Sequence, residues 1–521
     1  ARARAGGAHA HAHRRAERGH RVSVLAAYVR ARAVAAGVAQ PTATVRHVHL
    51  APRPLVLVPL TLAGEANAPL AALLGTGEAE PELLLVPQPR NRDLRFAFAA
   101  ELASRVLAYV AGCVGEVEAV PGGGRYADAP QLVVPNPGGV AFLRLFGRAT
   151  RFRRPDGPYP VDPGVPLLGR WLTWFAERAE HPGSCVLLAA TEALGRHWAT
   201  GQSALEDANL GALLGWIDPP PGCTGREAAR RAEDPACCPP AGPATDPGFD
   251  NEVLAPAVAA WGEAPEGSAA RAAARAALAQ AVRGQLEPTW RLVWRSLALL
   301  RALPPGESVA ERWGADRAEF TGFFQYVAGG GAPQPRRDGA VAAARRLARL
   351  EREQAEYDAA RAFDDPLVMA GHRAAGEAFQ GTVVEVDRER RVPGGKGRMV
   401  TRPLVRLVTG DPVHLAEGTR VVAVQRRGQS GVLIAADPVA ADPVSPGGVL
   451  VTLELSGGMG RAAVPPPGTV PEPGEVLCYT SVLPDSVPAP ALPDVADTPW
   501  THGGPPTPYR PTDDDARERW E

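Results

Sequence analysis

The residues of this chain best suited to chemistry are cations set among aromatic rings and turns. Phe146-Gly147-Arg148-Ala149-Thr150-Arg151-Phe152-Arg153-Arg154 interleaves four arginines with two phenylalanines, a composition in which guanidinium groups meet phosphates and rings stack on bases. A second basic group, Arg388, Arg390, Arg391, Lys396 and Arg398, surrounds Pro393-Gly394-Gly395 and reads as a flexible finger at a hairpin tip. A third set, Arg90, Arg92 and Asn136, follows short apolar runs and suits an anion held in a small-molecule pocket. Each has a plainer alternative. The first is a solvated helix end with an Arg-rich loop, the second a solvated hairpin, and the third ordinary caps and turns, with Asn91 or Asp93 starting a helix.

Several familiar chemistries are excluded. A phosphate-binding P-loop needs GxxxxGK[ST], but Lys396 is the only lysine, Gly397 follows it, and Arg390 stands where the first glycine belongs. A complete helicase or P-loop ATPase is therefore not encoded in these residues. Gly458-Met459-Gly460 with Ala463 suggests a dinucleotide fingerprint, yet Pro465-Pro466-Pro467 prevents the helix it requires. There is no HExxH, and Gly428-Gln429-Ser430-Gly431 lacks the last glycine of a nucleophile elbow. Asp364, Asp365, Glu377 and His372 have the donor types for a divalent metal, but Asp-Asp-Pro explains the first pair as a helix break. Cys223, Cys237 and Cys238 lack the paired spacing of a zinc site. No catalytic residue, metal or cofactor is assigned, and the balance leans away from an enzyme.

Composition sets the background. The 521 residues are 45% apolar and 22% charged, an ordinary globular balance with room for several domains. A net charge of −1 provides no global attraction for polyanions, so nucleic-acid contact must come from local clusters. Six scattered cysteines do not form a disulfide framework, which points to a reducing cytoplasm. Arg30 and Arg32 interrupt the apolar run 22–39, and no stretch suits a membrane span. The chain begins at Ala1 rather than Met, which suggests a missing or processed N-terminus.

The elements that must position these residues predict an α/β and α+β multidomain protein. Residues 1–44 read as a flexible His-containing tail and an amphipathic helix. Residues 45–155 alternate short apolar runs (Leu55–Val58, Leu83–Val86, Gln131–Val134) with helical stretches (Ala66–Leu74, Asp93–Val110, Gly139–Phe146), the pattern of a parallel α/β unit whose ligands sit beyond the strand ends. Residues 156–330 read as mainly helical, with an exposed insertion at 222–248 and with Trp171/Trp174 and Trp290/Trp294 packing in the core. A helical arm over 338–380 follows, capped by Asp338, with Ala343, Leu347, Leu350, Gln354 and Tyr357 forming a 4-3-4-3 seam for a partner. Five short β runs, Thr382–Val386, Pro403–Val408, Arg420–Gln425, Val432–Ala435 and Val449–Leu455, predict a small barrel or sandwich over 381–460. Residues 461–521 read as a Pro-rich, acidic tail.

The arm and barrel carry a resemblance. Leu350-Glu351-Arg352-Glu353 through Tyr357, then Phe379-Gln380-Gly381-Thr382-Val383-Val384, then Val413–Val421 resemble the stalk and β-barrel insertion of UPF-type superfamily-1 helicases. The resemblance covers 338–436 and implies that the barrel helps grip nucleic acid while a separate motor hydrolyses ATP. Without Walker motifs, only the gripping or regulatory role carries over. The leading expectation is a non-catalytic, cytoplasmic accessory protein that contacts nucleic acid or a helicase-like partner through the arm and the basic tips. The alternatives are an enzyme with an anion pocket at Arg90, Arg92 and Asn136, and a structural scaffold with a partner along Ala343–Tyr357.

Overall fold

The computed structural model describes residues 24–483, apart from 67, 80, 122, 395–397, 427, 440–447 and 461, together with 491, 492, 494 and 512. The histidine-bearing tail, Lys396 and the acidic end lie outside the described residues. The chain divides into two compact units, a body formed mainly by Ala33–Tyr357 and a second unit formed mainly by Asp358–Asp485.

The body is built on a five-stranded mixed sheet: β1 (Leu55–Thr61), β2 (Pro69–Gly75), β3 (Glu82–Leu85), β4 (Leu132–Val134) and β5 (Leu187–Ala189), in the order β3-β2-β1-β4-β5. Only β1-β4 and β4-β5 are parallel; β1-β2 and β2-β3 are antiparallel, with Leu57 opposite Leu74 and Leu73 opposite Leu83. The stretch expected as a helix at Ala66–Leu74 is therefore β2. Its Ala-Leu composition favours a helix in isolation, but burial of six of its seven residues is satisfied by pairing in the sheet. Three helices pack near the sheet, namely α1 (Arg92–Gly112), α2 (Pro137–Thr150) and α3 (Gly164–Arg178). Asn91 caps α1 by accepting from the Leu94 amide, and Asn136 caps α2 through Gly139.

One apolar core runs from Val48 to Phe320 and takes in the sheet, α1 to α3, α4 (Ala269–Arg301) and α5 (Val309–Ala328). Residues on both sides of the expected boundary at 155/156 share this core, and β5 comes from the stretch expected to be helical. Trp171 and Trp174 meet edge to face at 5.6 Å, and Trp290 and Trp294 at 5.8 Å, all four buried. They are core residues, as their spacing predicted.

The second unit is a closed six-stranded barrel. Its strands are β6 (Ala378–Asp387), β7 (Leu404–Thr409), β8 (Arg420–Ala423), β9 (Ser430–Val439), β10 (Gly448–Gly457) and β11 (Val476–Thr480), ordered β6-β7-β10-β9-β8-β11. Alternation fills it: Val405 and Leu407 point inward while Arg406 points out, and Phe379, Leu433, Leu453 and Tyr479 complete the interior. The five strands expected from sequence are all present. The sixth, β11, lies within the segment expected to be a tail, and it closes the barrel by pairing with β6 and β8.

Helix α6 (Ala340–Asp364) is the arm, 25 residues long, or about 38 Å at 1.5 Å per residue. Asp365 ends it and caps the next helix, Pro366–Ala374, by accepting from Leu367. Within the body, the arm is held by a charged stripe. Arg346 pairs with Glu180, Arg349 with Glu319 (2.6 Å), and His181 donates to Glu353 (2.6 Å). Of the seam, Tyr357 is buried beneath Arg312, whereas Ala343 and Gln354 are exposed and Leu347 is 58% exposed.

Candidate nucleic-acid interface

The expected basic run forms the wall of a groove in the body. α2 ends at Thr150, and its C-terminal turn lies against α3 because two glycines allow the backbones to touch. A Cβ on Gly147 would meet the Thr173 amide at 2.8 Å, and one on Gly169 would meet the Arg151 amide at 2.2 Å. This contact places the run after α2 beside Arg170, the residue that follows Gly169. The resulting groove, about 540 Å³, is lined by Arg151, Phe152, Arg153, Arg154, Arg170 and by Pro163, Pro166, Leu167 and Pro333.

Aromatic rings and backbone carbonyls hold most of these cations. Arg151 donates to the carbonyls of Gln334 (2.9 Å) and Pro335 (3.1 Å) and lies over Phe152 at 4.7 Å, and Arg336 lies over the same ring at 5.3 Å. Arg153 donates to the Ala149 carbonyl and lies over Phe96, which also carries Arg92 at 4.6 Å. Arg92 donates to the Tyr159 carbonyl as well. Carboxylates nearby are few: Asp156 pairs with Arg154 at 3.2 Å, Asp93 with Arg92 at 3.3 Å, and the buried Glu177 acts on Arg151 electrostatically. Four arginines thus line one concavity, and Arg92 and Arg336 stack on the rings beside them.

Arg170 is the most exacting of them. Its Nε and Nη2 are buried with no hydrogen-bond partner among the described residues, and burial lowers its pKa while Tyr326 opposes the shift. Buried donors left unmade cost about 1–3 kcal/mol each.

The sequence-predicted residues separate on this geometry. Arg151, Arg153 and Arg154 line the groove, Arg92, assigned to a different set, shares the Phe96 ring with Arg153, and Arg148 is exposed on the last turn of α2. The phenylalanines do not offer faces to bases, because Phe146 and Phe152 are 8% and 4% exposed and serve the core and the guanidinium stacks. Arg170 and Arg336 were missed. The signal for Arg170 was available in the small residues Gly147 and Gly169 on adjoining helices, but Arg336 is brought in only by the loop after α5.

The anion set does not converge. Arg90 pairs with Glu65 at 2.7 Å. Asn136 spends its side chain on capping α2 and on donating to the Gly242 carbonyl (3.1 Å). Segment 241–245, from the stretch expected as an exposed insertion, runs across the ends of β1 and β4. The Thr61 amide donates to Pro243 (2.7 Å), and the Thr245 amide donates back to Thr61 (3.1 Å). The strand ends are occupied by the chain itself.

In the finger, the hairpin Arg391–Pro393/Met399–Thr401 is present. Arg390 pairs with Glu454 (2.6 Å) and Arg388 with Glu472 (3.3 Å), while Arg391 and Arg398 are exposed. Among the described residues no cluster of three or more His, Cys, Asp or Glu side chains is placed to hold a metal, and no helix is long and apolar enough to cross a membrane. His372 instead pairs with Glu377 at 3.0 Å.

No protein-family model, curated protein or solved structure matches the chain.

Proposed function

We propose that this protein is a non-catalytic accessory factor that contacts nucleic acid through the arginine groove, with the exposed Arg391 and Arg398 of the barrel finger as a second contact. The observation that carries this reading is the convergence of four arginines, Arg151, Arg153, Arg154 and Arg170, on one concavity in a chain of near-neutral net charge. Phosphate contacts by arginine supply sequence-independent affinity and strong salt dependence. A helicase-like partner fits the same role through the exposed Ala343-Leu347-Gln354 stripe of α6. The enzyme alternative finds less support, since segment 241–245 fills the strand ends and Arg90 and Asn136 have partners within the chain.

Fluorescence anisotropy of the full chain with labelled DNA and RNA at low salt tests the proposal. Binding is expected, weakening steeply with added salt, and Arg154→Gln with Arg170→Gln should reduce it about tenfold or more, each lost contact being worth roughly 1 kcal/mol. No binding at low salt, with no motor protein co-purifying, would sink it.

A further inference from the structure

The body holds a second, smaller cavity, and we infer that it binds a small zwitterion of the α-amino-acid type. The cavity is about 130 Å³, well under the roughly 300 Å³ at which pockets for drug-sized ligands begin. Its walls are the loop after α3, the outer strand β5, the helix Ala190–Gly195 and Gln354 of the arm. Four ionisable side chains line it, and two of them are already matched: Glu180 by Arg144 (2.7 Å) and Arg346, His181 by Glu353. The other two are Glu192 and Arg196. They stand four residues apart, a spacing at which a glutamate and a following arginine pair along a helix, as Glu287 and Arg291 do at 3.4 Å. Glu192 and Arg196 form no ion pair, either with each other or with another described residue, and the Arg196 guanidinium lies 6.0 Å from the centre of the Tyr357 ring. One cation and one anion are left over in the same small space.

The sheet edge adds a donor and an acceptor. β5 is the last strand on its side of the sheet, and the Val186 carbonyl just before it accepts from Leu132 of β4. Alternation along the strand therefore turns the Leu187 N–H and C=O away from β4, on the side of the cavity that Leu187 lines. Leu187 is 3% exposed, and no described residue bonds to these two groups. Buried main-chain groups of this kind require a partner. A zwitterion supplies all the missing bonds together: its carboxylate accepts from Arg196 and the Leu187 amide, and its ammonium donates to Glu192 and the Leu187 carbonyl. A simple anion would leave Glu192 unmatched, and a simple amine would leave Arg196 unmatched. No bond is made or broken at the site, which stands independently of nucleic-acid contact.

Saturation-transfer difference NMR of the full chain with L-alanine, acetate and ethylammonium at matched ionic strength provides the test. L-Alanine is expected to bind saturably, and acetate and ethylammonium, which each lack one of its charges, should bind roughly tenfold more weakly or worse. Glu192→Gln and Arg196→Gln should each weaken L-alanine binding about tenfold, as for a lost hydrogen bond to a charged group. Circular dichroism checks the fold of both variants, and Glu192 is exposed, so its replacement leaves the packing intact. The inference is overturned by an absence of saturable L-alanine binding, by acetate binding as tightly as L-alanine, or by a folded Glu192→Gln variant of unchanged affinity. Each of these results leaves the arginine groove untouched.

Discussion

The body's groove and the barrel draw on the same arginine-rich composition and use it in opposite ways. On the barrel, arginines lie at the surface and pair with glutamates: Arg406 with Glu385, Arg390 with Glu454 and Arg426 with Glu475. In the body, arginines such as Arg90 and Arg105 pair with surface glutamates in the same way, but those around the groove, and the buried Arg178, are recessed. They lie over Phe96, Phe152 and Tyr326, donate to carbonyls, or join a buried carboxylate, as Arg178 does with Asp316 at 3.2 Å. A surface pair neutralises charge at little net gain or cost, whereas a recessed cation keeps its field in a low-dielectric setting. The number of arginines therefore says little about binding. What matters is whether carboxylates or rings surround them.

This contrast can be broken at its most buried point. Asp316 is 1% exposed and accepts from Arg178, Ser184 and the Cys185 amide, so Asp316→Ala strands a buried guanidinium and should cost about 3–5 kcal/mol. All eight tryptophans among the described residues lie in the body and none in the barrel unit. Denaturant unfolding followed by tryptophan fluorescence therefore reads this loss on the body, and an unchanged midpoint would refute it.

A somewhat smaller effect is expected where the groove is positioned. Gly169→Ala drives a methyl into the Arg151 backbone and should cost about 1–3 kcal/mol while displacing Arg151 and Arg170. Its signature is weakened nucleic-acid binding in the protein that remains folded. Wild-type affinity would separate the groove from this helix contact.

Acid provides a graded test. Burial would raise the pKa of Glu353, but hydrogen bonds from His181 and Arg349 outweigh it and hold the carboxyl near 2. A depressed carboxylate contributes stability that is complete above its unfolded value near 4.5 and lost as pH falls toward 2. Body stability should fall through that window, and Glu353→Gln should flatten the fall; matching profiles for the two proteins would show that the latch contributes nothing. The smallest effect belongs to the barrel. Arg406→Ala breaks a pair whose side chains are 45% and 63% exposed, and should change stability by less than about 1 kcal/mol in hydrogen exchange of the barrel amides. A larger loss would erase the distinction between the two regions.

Much of the barrel was legible because its strands alternate: Val405-Arg406-Leu407 announces an inside and an outside. Val476–Thr480 was hidden by the prolines around it, although Leu477 and Tyr479 carry the same signal. The body was harder to read. Strand β2 is buried on both faces and shows no period, and β5 has three residues, too few to show one. For the site, the run Arg151–Arg154 was visible as composition, but Arg92 and Arg336 enter from distant positions that only tertiary packing brings together. On α6, the ion pairs of Arg346, Arg349 and Glu353 were not legible, because polar residues at helical spacing look like solvent-facing ones.

Segment 241–245 has a different kind of consequence. Parallel α/β sheets offer a crevice beyond the carboxyl ends of their strands, and in many proteins evolution has put chemistry there. Here Pro243 and Thr245 close it with main-chain bonds to Thr61, and Asn136 ties the closure to α2 through Gly242. Ala241 belongs to the body's apolar core and Thr245 is buried beside it, so the closure is part of the packed fold. To an engineer, residues 241–245 are therefore a structural strap over the strand ends, and their removal would be read first as a loss of stability.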